Sequence, residues 1–362
     1  MKRILGISTL ALIVFLTACT GNNITIGQIP PPPVRPTPPP VVQPQQTQVV
    51  VGNVIPDDVY VLSFSHNTNM EHPRGYMAAR FAELVEARSG GRMIVNVFPE
   101  QQLGSDSEVV TQVMQGTIDL TAIFSPNVTH VVPELALFDL PYLFFTMEQA
   151  QNALNGALGD YLADAMAEQG LTTFGYFTSG FKDFTNNVRP IYSVLDMDGL
   201  RMRVSQSHFL VAQFQAMNAG GISIAWGEVY GAIEAGLADG QENPLATIVT
   251  ARLYEVQDYI TISNHGITVY PIFMSTEVYN QLPADLRLIL RQTFAEIQPL
   301  QWQMIAEATD THLEYLYSTG VSINYLSETA QQGFRIFMQD IYDEFAQTVS
   351  STLLSIAGRY VE

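Results

Sequence analysis

From Val59 to Ser65 the chain reads VYVLSFS, apolar and polar positions in alternation, which is the period of a half-buried strand. The period then changes. Over 73–88 Phe81, Leu84, Val85 and Arg88 recur at three- and four-residue steps, with Pro73 in the first turn and Gly90-Gly91 as the stop, so a helix is expected there. MIVNVF at 93–98 returns to strand character. Ser105-x-x-Glu108 is a capping box, opening a helix that ends near Gly116, and a third strand is expected over Asp119–Phe124. This β-α-β-α-β order argues for an α/β lobe with a mixed, largely parallel sheet.

A similar phrase appears twice. Gln115-Gly116-Thr117-Ile118-Asp119 ends one helix and starts one strand, and Ala235-Gly236-Leu237-Ala238-Asp239 does the same further on. With the repeated strand–helix order, this suggests two lobes of related architecture. From about 284 the chain is strongly helical, one run reaching Tyr317 and another spanning 328–358. Asp285, Leu286, Ile289, Leu290 and Phe294 are spaced for a buried stripe that packs against the lobes.

The N-terminus has a different character. Lys2-Arg3 precede an apolar run at 4–16 that is too short for a comfortable membrane span. Leu16-Thr17-Ala18-Cys19 then reads L-x-[AG]-C, which resembles the bacterial lipobox. A signal peptide over 1–18 and an acylated Cys19, carrying more than one chain, are expected from it. Residues 19–56 read as a tether, with PPPPVRPTPPPVVQP at 30–44 favouring extended polyproline II.

Composition narrows the function. Net charge is −19, or −21 once Lys2 and Arg3 leave with the leader, and such a surface repels phosphate backbones, so no nucleic-acid partner is expected. Cys19 is the single cysteine, which excludes an intramolecular disulfide and a cysteine metal cluster. No G-x-S-x-G elbow, P-loop or G-x-G-x-x-G occurs. The six histidines are scattered: His66, His72 and Glu71 fit no H-E-x-x-H helix, and Pro133 interrupts His130-x-x-x-Glu134. They are read as structural or surface residues, and neither enzyme activity nor a metal or cofactor is expected.

The informative chemistry is cationic. A carboxylate in a mostly apolar cleft calls for a planar, charged donor, and arginine offers a fork for both oxygens. In Gly199-Leu200-Arg201-Met202-Arg203-Val204, Arg201 and Arg203 share one face of a strand; Arg201 is expected in solvent and Arg203 buried. Gly180-Phe181-Lys182-Asp183-Phe184 sets Lys182, the only lysine beyond the leader, between two aromatics.

With these residues in view, the chain resembles the periplasmic substrate-binding subunit of TRAP transporters, the tripartite ATP-independent group typified by C4-dicarboxylate receptors. The likeness runs from about Tyr60 to Leu300. Its landmarks are FAELVEARSGGRMIVNVFPEQQLGSD (81–106), QGTIDLT (115–121), FDLPYLF (138–144), FTNNVRPI (184–191), DGLRMRV (198–204) and ADGQENPL (238–245).

The resemblance implies a two-lobed periplasmic-binding-protein-like fold, type II-like: mixed β-sheets flanked by helices, crossing strands and long C-terminal helices. Lobe I would take 57–180 and 264–325, lobe II 181–263 and 326–362. It implies that Arg203 pairs with the ligand carboxylate, that Lys182 assists where the family more often has arginine, and that Asn243 donates to the same group. Trp226 would pack on the ligand, Asn67 would reach it from the first lobe, and Phe181 is a candidate cleft wall. Gln102–Asp106 would approach the cleft, and Gln241 and Glu242 would brace the arginine or the hinge. Phe124 is apolar where polyol- and sialate-binding members tend to be polar, which argues against a sugar acid. The expected partners are a small organic acid, the small and large TRAP membrane subunits, and the membrane itself through Cys19; the expected location is extracytoplasmic. A receptor of another transporter class, such as an ABC system, or an extracytoplasmic enzyme on the same scaffold would share the leader, tether and lobes. The DGQENP and GLRMRV phrases speak against the first; the second predicts turnover and a bound metal, which product analysis and an elemental assay would reveal.

Overall fold

A computed structural model describes residues 59–361; the leader, Cys19 and the whole of the tether region lie outside the described residues. The first half of the chain builds β1 (Tyr60–His66), α1 (Pro73–Ser89), β2 (Met93–Phe98), α2 (Asp106–Met114) and β3 (Leu120–Ala122). Helices α3 (Met147–Leu154) and α4 (Ala157–Glu168) lead into the long strand β4 (Leu171–Asn186). The same phrase then recurs as β5 (Arg201–Val204), α5 (His208–Ala216), β6 (Gly220–Ser223), α6 (Val229–Glu234) and β7 (Gly240–Asn243). After α7 (Leu245–Thr250) a second long strand follows, β8 (Tyr259–Ser275), then α8 (Thr276–Gln281) and α9 (Ala284–Thr319). The chain ends with β9 (Ser322–Tyr325), α10 (Glu328–Phe337), α11 (Gln339–Phe345) and α12 (Ser351–Gly358).

The local signals act as expected. His72 caps α1, its ring Nδ1 accepting from the Arg74 N–H, and Gly90 closes the helix in the left-handed region at φ 64°. The Ser105–Glu108 capping box opens α2. The third strand is shorter than the sequence predicts. It stops at Ala122, because Phe124 already caps a 3₁₀ turn over Ser125–Val128 that begins Ser-Pro. Asp285 also departs from the predicted stripe: Leu286, Leu290 and Phe294 are buried, whereas Asp285 is exposed and pairs with Arg92.

Strand order is β2-β1-β3-β8-β4-β7-β5-β6, with β9 on β8. Reading outward from the central β8–β4 pair gives the same motif on both sides. β1 pairs in parallel with β2 and β3, and β3 meets β8 antiparallel. β5 pairs in parallel with β6 and β7, and β7 meets β4 antiparallel. The repeated five-residue phrase sits at equivalent places. Gly116 and Gly236 end α2 and α6 with φ 70° and 69°, and each following aspartate ties to a strand two places back. Asp119 accepts from the Ser63 N–H and hydroxyl, and Asp239 from the Arg201 N–H and guanidinium. β9, assigned from sequence to the first lobe, pairs with Tyr259–Ile262, at the β5–β7 end of β8.

β4 and β8 therefore run through both halves, antiparallel, with register shifts at Thr173/Gly175, Phe177/Gly180 and Lys182/Phe184. Bulges free backbone groups, and α9 takes them up. Gln298 accepts from the Tyr176 N–H (2.8 Å), Gln301 bonds both the N–H and C=O of Thr178, and the Trp302 indole donates to the Tyr176 carbonyl. A Cβ at Gly175 would lie 2.0 Å from the Gln298 side-chain oxygen, so this approach requires glycine.

Three cores result. Phe64, Phe81 and Phe294 hold α1 and α9 on the first sheet segment, with Phe81 stacked on Phe294 at 3.9 Å between ring centres. Ile233, Ile248, Ile260 and Leu316 fill the second. Leu162, Phe214, Phe334, Phe345 and Leu353 form the largest, which seats the C-terminal helices against α4 and α5.

Candidate functional site

A small cavity opens where the β1–β3 half meets the β5–β7 half. Asn67, Arg74, Asp106 and Phe124 reach it from the first half, and Arg203, Trp226 and Asn243 from the second. Strand β5 carries Arg203 inward while Arg201, two residues earlier, stays in solvent against Asp239. Arg203 is 3% exposed. Its Nε and Nη2 both donate to the Ile224 carbonyl (3.0 and 2.8 Å), and Nη1 has no protein partner among the described residues. Burial lowers its pKa to about 10, against the opposing pull of Glu242 and Asp106.

The second guanidinium was missed in the sequence. Arg74 is 4% exposed, with its guanidinium carbon over the Tyr270 ring, 3.5 Å from its centre. Its Nε donates to the Ser179 hydroxyl, and Nη1 and Nη2 approach the Asn67 side-chain oxygen at 3.3 and 3.4 Å. Burial lowers this arginine too. Its charge and, above all, burial push the neighbouring His66 down to about 3. One clue was available: a cation in the first turn of a helix opposes the macrodipole, so Arg74 is ill placed for a surface role.

Asp106 stands between the two arginines. Its carboxylate accepts from the side-chain amides of Asn67 (2.8 Å), Asn127 (2.7 Å) and Gln101 (2.9 Å). Phe124 lies against Tyr270, 5.2 Å between ring centres. Asn243 donates to Gln241, which in turn donates to Thr185 (2.8 Å).

Two of the sequence candidates are not brought to the cavity. Lys182 is buried, with Nζ 2.7 Å from Glu242 Oε1, while His265 Nε2 lies 2.7 Å from the other oxygen of the same carboxylate. Burial alone would raise Glu242, but Lys182 and the His265 hydrogen bond hold it at about 2. Phe181 is half-buried against the largest core.

The two halves also touch across the site. The Trp226 indole N–H donates to the Asn67 carbonyl (3.0 Å), Asn69 donates to the Thr250 carbonyl (2.9 Å), and the Ser107 hydroxyl meets the Gln206 side chain. Among the described residues no group of histidines and carboxylates is placed to hold a metal. None of the described helices is long and apolar enough to cross a membrane.

Two related α/β halves sharing crossing strands, with buried cationic forks in the cleft between them, define a solute receptor built around an anion. The chain belongs to the bacterial extracellular solute-binding protein family 7, whose model matches residues 64–348. Members of that family are binding proteins, not enzymes. Among its relatives, the C4-dicarboxylate-binding periplasmic protein DctP of Rhodobacter capsulatus is 29% identical over 300 residues, 82% of this chain and 89% of that one. An uncharacterized protein, y4mM, of Sinorhizobium fredii is 34% identical over 228 residues, 63% of this chain; the chain spans 42% of its length. A TRAP periplasmic solute-binding protein of Sulfurospirillum deleyianum, solved with bound succinate, superposes with a TM-score of 0.80 at 30% identity, covering 84% of this chain and 99% of that one. The sugar acid binding protein DctPAm of Advenella mimigardefordensis, solved with galactonate, gives 0.81 at 29%, covering 84% and 100%.

Proposed function

We propose that this protein is the extracytoplasmic receptor of a TRAP transporter, capturing a small organic carboxylate by closure of its two lobes. The carrying observation is Arg203: a nearly fully buried guanidinium with one backbone carbonyl as partner, opening on a cavity that also holds Arg74. A buried charge without an ion-pair partner is costly, and a ligand carboxylate supplies one. Arg203 binds the carboxylate as a fork, Asn243 and Asn67 orient it, and Phe124 with Tyr270 cover the apolar part. The division into lobe I (57–180, 264–325) and lobe II (181–263, 326–362) belongs to this reading, with β9 better placed in lobe II by its pairing. The Trp226–Asn67 and Asn69–Thr250 bonds are then contacts of the closed form. The closed form is what the small and large membrane subunits recognise.

Acylation of Cys19 and anchoring through the 19–56 tether complete the proposal, supported by the L-x-[AG]-C sequence. Lipid labelling that persists in Cys19→Ser would exclude the anchor. The receptor itself is tested by mass spectrometry of the ligand that copurifies, then calorimetry on Arg203→Ala. The substitution should cost about 3–5 kcal/mol, a few hundred-fold in affinity or more. Near-native affinity refutes the assignment.

A further inference from the structure

The charges around the cavity add up to a specific demand. Arg74 and Arg203 line it with two positive charges, and Asp106 lines it with one negative charge. Asp106 receives three amide N–H bonds, from Asn67, Asn127 and Gln101, the pattern of an acceptor-only carboxylate. Lys182 and Glu242 form a neutral pair behind the wall, with His265 held uncharged by burial. Asp139 and Asp183 are buried but do not line the cavity, and can only add negative charge. The wall next to the ligand therefore carries one net positive charge.

We infer that the site takes a monoanion, an organic acid with one carboxylate and an uncharged far end, and that Asp106 is the residue that turns away a second carboxylate. The inference rests on the receptor reading and refines it. A monocarboxylate brings the buried site to neutrality. A dicarboxylate leaves one uncompensated negative charge in a cavity shielded from water, where like charges repel strongly. Its second carboxylate would also share a small space with the Asp106 side chain that lines it. Asp106 thus works by repulsion, while Arg203 works by attraction.

The test compares acids that match in shape and differ in charge. Wild-type protein, stripped of bound ligand, is titrated calorimetrically with succinate against succinamate, glutarate against glutaramate, and phthalate against phthalamate. At about pH 7.5 both carboxyls of each diacid are ionised. Half-amides are expected to bind at least about tenfold tighter than their diacids, and the copurifying ligand is expected to carry one carboxylate. Asp106→Asn should narrow or reverse that ratio, because the repelling charge is gone while an amide of the same shape remains. The wild-type comparison stands whether or not the variant folds. Diacids that bind as tightly as their half-amides, or a copurifying dicarboxylate, overturn the inference and leave the receptor reading intact. If no organic acid binds or copurifies, the receptor reading itself falls.

Discussion

Replacing Lys182 with methionine separates a structural from a ligand-binding role. The side chains of Lys182 and Glu242 are 2% and 3% exposed, and among the described residues their 2.7 Å contact is the ion pair that Glu242 makes with a lysine or arginine. Its other oxygen meets His265, which burial keeps neutral. Lys182→Met leaves an ionised carboxylate buried with a single neutral hydrogen bond. Breaking a buried pair from one side costs about 3–5 kcal/mol. His265 limits the damage in a pH-dependent way. Losing Lys182 removes a positive charge that holds the imidazole down and leaves the Glu242 charge to raise it. A histidine whose folded pKa rises above its unfolded value stabilises below the unfolded value, and the gain is lost as pH rises through the folded one. The penalty should therefore be smaller near pH 6 than near pH 8. Denaturant titrations on the wild type, Lys182→Met, Glu242→Gln and the double variant give the coupling. The double variant should be more stable than Lys182→Met alone, and affinity should change far less than in Arg203→Ala. A single-variant loss below about 1 kcal/mol, or a penalty unchanged by Glu242→Gln and flat with pH, refutes the reasoning.

Two further outcomes follow from the geometry. Trp226→Phe removes the indole N–H that bonds the Asn67 carbonyl across the site; about 1 kcal/mol of closed-state stability goes with it, so stopped-flow dissociation should quicken about fivefold with association little changed. Burial lifts the Asp139 carboxyl to about 7, and a raised acid costs stability as pH rises through that value; from about pH 6.5 to 8 the wild type should lose about 1 kcal/mol at this site, a loss that Asp139→Asn should lack in melts across that range.

What could be read from the sequence was local or repeated. Alternation in VYVLSFS, the capping box at Ser105 and the paired phrases ending in Asp119 and Asp239 each report on neighbours a few residues away, and these elements form where expected. The burial of Arg203 was legible from its place beside the apolar Val204 and from the family resemblance; strand alternation alone could not separate it from Arg201, two residues earlier on the same face. Lys182 was harder. Its partner Glu242 lies 60 positions along the chain, and only the β4–β7 pairing brings them together. Arg74 was hidden for a similar reason: its contact with Tyr270, on β8, is made only by the fold. The early stop of β3 was local, but the turn chemistry of Ser125-Pro126 outweighed an apolar run that reads as strand through Phe124.

The shared ribbons β4 and β8 make the two halves inseparable as folding units. A cut between them would not release a free-standing domain; it would expose two raw sheet borders, each lacking the neighbour that completes its ladder, and such borders invite aggregation. Any movement between the halves would likewise have to flex these paired strands rather than turn about a loose connector.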